Sequence, residues 1–418
     1  MAKRTISLEN LRFDRKVNLR AMNNSRFNSR WLVAGVAAIL TCIGLISFTE
    51  LPPIKTGADQ PEAYLPRLEG KRVALVANQT TVLLPSKKHL ADFLVEKDVN
   101  LVRIFAPEHG FRGNHSAGAL VANGKDIKTG LPIVSLYGSN RKPTKAQMAG
   151  LDYIIFDIQD VGARFYTYIS TMHYVMQAAA ENDITVLVLD RPNPHGNYID
   201  GPVLDPKYSS FVGMHPVPVV HGMTVGEYAK MINEENWLGS RLKCRLEVIP
   251  IKGWNRDMGY SLPIAPSPNL PNDISIKLYP SLCFFEGTRV SIGRGTECPF
   301  QVFGHPDLQG NYSFTPQSIK GVSDHPKFEK TACNGKDLRL EVGPATKMTQ
   351  LDLSHLIDAY KQLGSKDDFF TSFFIKLAGT PQLQSQIQSG MTAEAIRDSW
   401  KADLQDFEKL RRKYLLYQ

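Results

Sequence analysis

Short apolar segments run directly into polar clusters at four points in the first half of the chain. The segments are residues 73–77, 101–106, 153–156 and 185–189. Short, largely apolar runs are typical of strands covered on both faces, and helical patterns between them favour a parallel sheet. Parallel strands end at one edge of a sheet, where ligands bind. We therefore predict that the polar clusters after these strands converge on one cleft.

Helical patterns fill the intervals between these strands. Residues 89–97 are amphipathic, and residues 165–181 carry apolar side chains at near-helical spacing. Residues 223–236 open with Thr224 followed three positions later by Glu227, which predicts a capping box. Alternating strands and helices predict an α/β layered domain over residues 71–273.

A proline-rich stretch separates this region from the rest of the chain, because residues 262–271 hold four prolines. The remainder mixes a predicted strand at residues 338–342 with predicted helices at residues 354–363 and 393–415. This mixture predicts a smaller C-terminal α+β domain over residues 274–418.

The N-terminus has the pattern of a membrane anchor. Residues 1–30 carry eight Lys or Arg and two acidic residues, and residues 31–48 form an uncharged span of eighteen residues. A span of this length is near the minimum for a transmembrane helix, and a basic flank stays in the cytoplasm. We predict a basic cytoplasmic tail at residues 1–30, an inner-membrane anchor at 31–48 and a linker at 49–70. The catalytic body is then periplasmic or otherwise extracytoplasmic.

Two alternatives to a retained anchor stay open. A cleaved signal peptide shares the basic flank, although its apolar core is usually shorter and ends in a small-x-small site that is missing here. A lipoprotein signal through Cys42 is disfavoured because Leu40 and Thr41 precede the cysteine. The four cysteines after residue 50 are an even number, so one or two disulfides or buried thiols are both compatible with an oxidising compartment.

The positive net charge of +8 does not indicate nucleic-acid binding, because most of it lies in the N-terminal tail. The other 388 residues carry 41 basic and 39 acidic side chains, which leaves no excess for a phosphate backbone. No nucleic-acid partner is expected. The histidines show no zinc-ligand spacing, so neither a metal nor a cofactor is expected.

Glu108 is the leading catalytic candidate. It follows the second strand in a loop bounded by glycines, and a carboxyl group there can act as a general acid. Asp157 and Asp160 follow the neighbouring strand, and one of them can supply the second carboxylate that glycoside hydrolysis needs. Asp160 is preferred because it lies further beyond the strand end.

Arginines near the predicted cleft are candidates for binding a substrate carboxylate, since a guanidinium does so through two hydrogen bonds. Pairing with neighbouring acids is the alternative for these arginines, and core packing is the alternative for the tyrosines at residues 166 and 168. The predicted substrate-binding set is Asn78, His109, Arg112, Asp157, Arg164, Tyr168, Arg191, Asn193 and His221.

Several strings in the chain resemble the exo-β-N-acetylmuramidase (NamZ-like) family. They are FAPEHGFRG at residues 105–113, FDIQDVGARFYTY at 156–168, LDRPNP at 189–194, DGP at 200–202, HGMTVGE at 221–227, EGT at 286–288 and GRGT at 293–296. The resemblance implies a Rossmann-like N-terminal domain and a smaller C-terminal one. It also implies release of N-acetylmuramic acid from the non-reducing ends of peptidoglycan fragments, with Glu108 as the acid.

Two parts of the chain depart from the family pattern. The residues after Pro194 are His195, Gly196 and Asn197, where the family tends to have a bulky apolar residue and paired glycines. The first seventy residues lie outside the resemblance, so the membrane anchor is predicted from this sequence alone.

Competing functions are distinguishable by motif. A non-catalytic, membrane-tethered peptidoglycan-binding module would use the same cleft without needing Glu108. An acyl hydrolase is disfavoured because the chain has no G-x-S-x-G motif. A dinucleotide enzyme is disfavoured because residues 78–81 are Asn-Gln-Thr-Thr, where a glycine-rich turn is needed.

Overall fold

The computed structural model describes residues 53–112, 124–239, 241–343, 346–364 and 368–418. The predicted anchor at residues 31–48 and the basic tail before it lie outside the described residues. Within the described part of the chain, no helix combines the length and apolar character needed to cross a membrane.

A seven-stranded sheet forms the centre of the N-terminal half. Its strands are β1 (Val73–Ala77), β4 (Leu101–Ala106), β5 (Gly124–Lys125), β6 (Pro132–Ser135), β7 (Tyr153–Asp157), β8 (Thr185–Leu189) and β9 (Arg245–Ile249). They lie in the order β5-β6-β4-β1-β7-β8-β9, and neighbouring strands are parallel except for the β5–β6 pair. A separate hairpin pairs β2 (Val82–Leu83) with β3 (Lys88–His89).

The four predicted strands are confirmed as β1, β4, β7 and β8. Every residue of β1 is buried, as expected for a central strand covered on both faces. The parallel-dominated sheet makes the domain α/β and is consistent with a Rossmann-like fold.

Helices pack beside this sheet. They are α1 (Pro61–Leu68), α2 (Leu90–Glu96), α3 (Lys145–Met148), α4 (Tyr168–Glu181) and α5 (Val225–Glu234). The helices predicted at residues 89–97, 165–181 and 223–236 are confirmed as α2, α4 and α5, whereas α1 and α3 were not predicted. The predicted capping box of α5 is present: the Thr224 side chain accepts from the Glu227 amide, and the Glu227 carboxylate accepts from the Thr224 amide.

The C-terminal half combines a small antiparallel sheet with helices. The sheet has the order β10-β12-β11, from β10 (Val302–His305), β11 (Tyr312–Phe314) and β12 (Cys333–Asp337). The helices are α6 (Asp273–Leu282), α7 (Ser354–Gln362), α8 (Ser372–Ala378), α9 (Gln382–Gln388), α10 (Ala393–Ser399) and α11 (Lys401–Arg411).

Two predicted elements of this half are corrected. The strand predicted at residues 338–342 lies earlier, because the Asp337 carboxylate accepts from the Arg339 amide and turns the chain just after β12. The helix predicted at residues 393–415 is divided into α10 and α11 at Trp400, whose buried indole donates to Asp200 at 3.1 Å.

The predicted linker is also corrected, since residues 53–70 are part of the folded body. Lys55 pairs with Lys252 through backbone hydrogen bonds, and the Gln60 side chain donates to the Pro250 carbonyl at 2.7 Å. Tyr64 of α1 is fully buried, and its hydroxyl donates to the Ala58 carbonyl at 3.1 Å. The proline and polar content of this segment predicted a linker, but residues 61–68 form a helix that buries Tyr64.

The four cysteines of the described residues are free thiols. Cys244, Cys283 and Cys333 are buried, and Cys298 is partly exposed. The sequence left open disulfides or buried thiols, and in the structure these four cysteines are thiols.

Replacing Tyr64 tests whether residues 53–70 belong to the folded body. Tyr64→Ala should lower the free energy of unfolding by about 3–5 kcal/mol, because it removes a fully buried aromatic side chain. Glu69→Ala is the control in the same segment, and as an exposed position it should change stability by less than about 0.5 kcal/mol. Denaturant unfolding of the two variants measures this difference. Equal stabilities would restore the linker interpretation.

Candidate active site

A cleft of about 750 Å³ opens at the carboxyl edge of the sheet. One wall is formed by residues that follow β4, β6 and β7, and the other by residues of the C-terminal half. We call this space the cleft; its charged and hydroxyl-bearing lining residues include Glu108, Tyr137, Arg141, Thr167, Tyr168, Glu286, Arg294, Asp324 and Lys376. Its size is that of an ordinary small-ligand site.

Glu108 reaches the cleft from a tight turn after β4. The Gly110 amide donates to the Pro107 carbonyl at 3.1 Å, and His109 and Gly110 both have positive φ, at 70° and 78°. A non-glycine residue in this conformation is uncommon and marks a position held by its surroundings. The turn therefore fixes the direction in which Glu108 projects.

Two hydroxyl groups hold the Glu108 carboxylate. Thr167, just before α4, donates from Oγ1 to Glu108 Oε2 at 3.1 Å. The hydroxyl of Tyr137 is hydrogen-bonded to Glu108 as well, and its pKa is raised by burial and then by the negative charge of Glu108. The pKa of Tyr168 is raised by burial and then by the same charge. Glu108 is thus a positioned carboxylate on the wall of the cleft.

A second carboxylate faces the cleft from the other wall. Both oxygens of Glu286 accept from Arg294, at 2.7 and 3.0 Å, and Arg294 also lies over the ring of Phe300. Burial opposes ionisation of Glu286, but the charge of Arg294 and then of Lys327 outweighs it and lowers the pKa of Glu286. Glu286 is therefore an ionised, oriented group.

Aromatic side chains line much of the remaining surface. Tyr166 and Tyr168 meet edge to face with ring centroids 4.9 Å apart, and Tyr279 contacts both Tyr166 and Phe165. Such surfaces stack against the apolar faces of ring-shaped ligands while hydroxyls at their edges form hydrogen bonds. Among the described residues, no three His, Cys, Asp or Glu side chains are grouped as metal ligands would be.

Three predicted site residues line the cleft: Glu108, His109 and Tyr168. The other predicted residues lie outside its lining, most of them buried beneath it as structural groups. β1, β7 and β8 are inner strands of the sheet, and the predicted residues directly after them are buried.

Arg164 and Arg191 are buried and make structural contacts outside the cleft lining. Arg164 is fully buried and donates to the carbonyls of Pro202, Val217, Leu377 and Ala378 at 2.6–2.9 Å. Arg191 forms a buried two-point ion pair with Asp157 at 2.6 and 2.8 Å. Neither guanidinium lines the cleft, and the structure places both arginines and Asp157 as buried structural groups.

Arg112 pairs with a carboxylate outside the cleft. Its guanidinium makes two hydrogen bonds of 2.9 Å to the buried carboxylate of Asp126, and a longer one to Asp92. It lies outside the lining of the cleft, and this pairing is the alternative that the sequence left open. The structure therefore favours ion pairing over substrate binding for Arg112.

Asp160, predicted as the second catalytic carboxylate, lies outside the lining of the cleft in a buried polar cluster. Its Oδ2 accepts from the Gly162 amide at 2.6 Å, and burial raises its pKa to about 7. His221 Nε2 is 3.9 Å away, but burial, and then the charge of Arg411, lowers the pKa of His221 to about 3. His221 is therefore neutral near pH 7, and it is buried outside the cleft lining.

Asn78 and Asn193 are buried turn residues. Asn78 Oδ1 accepts from the amide and hydroxyl of Thr80 after β1. Asn193 Oδ1 accepts from the His195 amide, and its side chain lies so close to Gly162 that a Cβ there would be 2.2 Å from Oδ1. Both residues support the floor of the cleft without lining it.

The residues missed from the sequence are Tyr137, Arg141 and Glu286. Tyr137 and Arg141 follow β6, a short strand that begins with Pro132 and was not predicted. Glu286 stands in the EGT string that carried part of the family resemblance, and that string was the available signal.

The comparisons with known proteins cover nearly the whole described body. Residues 73–274 match the family model described as exo-beta-N-acetylmuramidase NamZ, N-terminal, and residues 277–417 match the corresponding C-terminal model. The chain is 41% identical over 387 residues to the peptidoglycan beta-N-acetylmuramidase NamZ of Bacillus subtilis (strain 168), covering 88% of this chain and 92% of that protein.

This chain belongs to the exo-β-N-acetylmuramidase NamZ family. The resemblance found from its motifs is thereby confirmed, and the strings that line the cleft, around Glu108, Tyr168 and Glu286, fall inside the matched regions.

Two solved structures of DUF1343 family proteins from Bacteroides fragilis NCTC 9343 share the fold of this NamZ family member. One is 47% identical with a TM-score of 0.80, covering 88% of this chain and 99% of that chain. The other is 32% identical with a TM-score of 0.76, covering 87% of this chain and 99% of that chain.

The position of Asp160 predicts a distinctive pH dependence of stability. Its pKa is raised in the folded state, so the folded protein binds more protons than the unfolded one from about pH 4 to about pH 7, and wild-type stability falls over that range. Asp160→Asn removes this loss. The variant should gain stability relative to wild type by roughly 1.4 kcal/mol per pH unit across that window and level off above it.

Denaturant unfolding of both proteins at pH 4.5, 6 and 8 measures the difference. Asn can still accept from the Gly162 amide through its side-chain oxygen, which keeps the local turn. A stability difference independent of pH would mean that the Asp160 carboxyl is not protonated in the folded protein.

Proposed function

We propose that this chain is an exo-acting β-N-acetylmuramidase that releases N-acetylmuramic acid from the non-reducing ends of peptidoglycan fragments. The observation that carries the proposal is Glu108, a carboxylate held by Thr167 and Tyr137 on the wall of a sugar-sized cleft. Family membership supports the reaction class, and the Bacillus subtilis relative bears the name of this activity.

Glu108 acts as the general acid in this proposal. Cleaving a glycosidic bond requires a proton on the departing oxygen and stabilisation of positive charge at the sugar carbon. Glu108 is the carboxyl group that hydroxyl donors orient toward the cleft from the sheet edge, so it is suited to deliver the proton. The aromatic side chains around it bind the sugar rings and exclude water from the reacting bond.

Glu286, in place of Asp160, is assigned the role of the second carboxylate. It lines the cleft and its lowered pKa keeps it ionised, so it can stabilise positive charge on the sugar or direct a water molecule. Asp160 has neither property, because it is buried and its pKa is raised.

Replacing Glu108 distinguishes an acid from a positioning residue. Glu108→Gln should lower kcat by about 10²–10⁴-fold on a β-N-acetylmuramyl disaccharide, whose sugar leaving group needs protonation. The deficit should shrink on an aryl β-N-acetylmuramide, because an activated phenolate leaves without a proton. Steady-state kinetics of the two substrates measure this contrast.

Glu286→Gln is the comparison variant for the same experiment. An anion that stabilises the transition state is needed whichever group leaves, so this variant should lose activity on both substrates to a similar degree. Thermal unfolding of both variants checks that the fold is kept. Near-normal turnover of the disaccharide by Glu108→Gln would remove Glu108 as the acid and favour the non-catalytic binding module.

We also propose that the protein is held at the inner membrane by residues 31–48, with its body on the extracytoplasmic side. The support is the uncharged eighteen-residue span and the basic flank of residues 1–30. Peptidoglycan lies outside the cytoplasmic membrane, so this arrangement puts the cleft in the compartment of its substrate.

Protease accessibility tests this orientation. Protease added to intact spheroplasts of cells making the full-length protein should digest the body, and the body should sediment with membranes before digestion. A cytoplasmic protein of the same cells is the control and should stay intact. Protection of the body equal to that of the control would contradict the proposed orientation, and a soluble periplasmic body would indicate cleavage of the N-terminal segment.

A further inference from the structure

The cations that line the cleft differ in whether an acid neutralises them. Arg294 is committed to Glu286 through two hydrogen bonds. Arg141 and Lys376 also line the cleft, and within the described residues neither forms an ion pair. A negatively charged group of a ligand would therefore be attracted to Arg141 or Lys376.

Arg141 is the better oriented of these two. Its guanidinium carbon lies over the Phe211 ring, 4.4 Å from the ring centroid, in a cation–π contact. Phe211 is itself fixed, because Tyr174 stacks on its ring at 6.3 Å and the Ser170 hydroxyl donates to its carbonyl at 2.7 Å. The planar fork of the arginine is thus held against a rigid support.

Arg141 also lies beside the proposed acid. Tyr137 hydrogen-bonds Glu108, and the charge of Arg141 acts on the same Tyr137 hydroxyl in the direction opposite to that of Glu108. The Tyr137 ring is 6.5 Å from Phe211, which places these groups along one wall. A guanidinium at this position attracts a ligand anion into the part of the cleft next to Glu108.

We propose that Arg141 binds the carboxylate of the muramic acid residue in the sugar subsite next to Glu108. The inference rests on the proposed function. N-acetylmuramic acid differs from N-acetylglucosamine by one lactyl ether, whose carboxylate lies beside the sugar ring and close to the reacting carbon. A guanidinium binds a carboxylate through two parallel hydrogen bonds, and pre-orientation by Phe211 lowers the entropy lost on binding.

Lys376 is the weaker candidate on physical grounds. It is a residue of α8 with a charge on a flexible four-carbon stem, and an ammonium group binds as a point charge without the two-point geometry. Arg141 therefore makes the contact that selects muramic acid over glucosamine.

The test compares kcat/KM of the full-length protein on three aryl glycosides. They are a β-N-acetylmuramide with a free lactyl carboxylate, the same compound with that carboxyl converted to a neutral amide, and a β-N-acetylglucosaminide. Wild type should prefer the free carboxylate. Arg141→Gln should lower kcat/KM for the free acid by roughly 10- to 100-fold and leave the amide nearly unchanged, so the preference disappears.

Matched variants guard against indirect effects. Lys142→Gln changes the adjacent cation, which is paired with Glu181 at 2.7 Å outside the cleft lining, and should keep the wild-type preference. Arg141→Lys retains the charge without the fork and should fall between wild type and Arg141→Gln. Lys376→Gln should keep the preference.

Two results would overturn the inference: Arg141→Gln keeping the full preference for the free acid, or Lys376→Gln alone abolishing it. Failure of the proposed function has a different signature, because wild type would then hydrolyse none of the three compounds. Calorimetric binding of free N-acetylmuramic acid to wild type and Arg141→Gln would still decide the role of Arg141. Equal affinities would refute it.

Discussion

The cleft depends on one buried guanidinium that joins its two walls. Arg164 is fully buried, and among the described residues it has no carboxylate partner; burial lowers its pKa to about 9, which still leaves it protonated at neutral pH. Four carbonyl oxygens compensate the charge, two of them from the last turn of α8, where the helix dipole is negative. A cation in such a position cannot be released to solvent without leaving these carbonyls unpaired.

Arg164 also influences the positions of the groups proposed to act on the substrate. Its backbone amide donates to the Val219 carbonyl at 2.7 Å, which fixes the chain three residues before Thr167. Thr167 in turn donates to Glu108, while α8 supplies Phe373 and Lys376 to the opposite wall. The same arginine therefore sets the position of a ligand of the proposed acid and the position of the facing helix.

This arrangement explains what the sequence could predict. The apolar runs predicted β1, β4, β7 and β8, and the topology of a parallel sheet correctly brought Glu108 and Tyr168 to one edge. It could not predict which polar residues at that edge stay exposed. Arg164 and Arg191 have the same local context as ligand-binding arginines, and only the tertiary structure places carbonyls of residues 202–378 or the Asp157 carboxylate around them.

The missed residues have a related cause. Tyr137 and Arg141 follow a strand whose Pro132 and Ser135 weaken its apolar pattern, so the position next to β4 in the sheet was not foreseen. Glu286 comes from the other half of the chain, at a sequence separation that no local pattern reports. Which distant residues meet in the cleft depends on the tertiary structure, whereas the periodicity that predicts strands and helices is local.

The distribution of charge separates structural from functional groups. Inner charges are matched in place: Asp157 by Arg191, and Asp190 by donors that include the Thr224 and Tyr417 hydroxyls at 2.7 and 2.6 Å. Such groups have no capacity left for a ligand, and their loss would leave unpaired buried charge. The cleft differs because the Thr167 and Tyr137 hydroxyls that hold Glu108 can exchange for a substrate oxygen. The Phe211 ring supports Arg141 through a contact that uses none of the hydrogen-bond donors of the guanidinium. A site built in this way retains an acid and a cation for the substrate because the framework beneath it has satisfied its own charges.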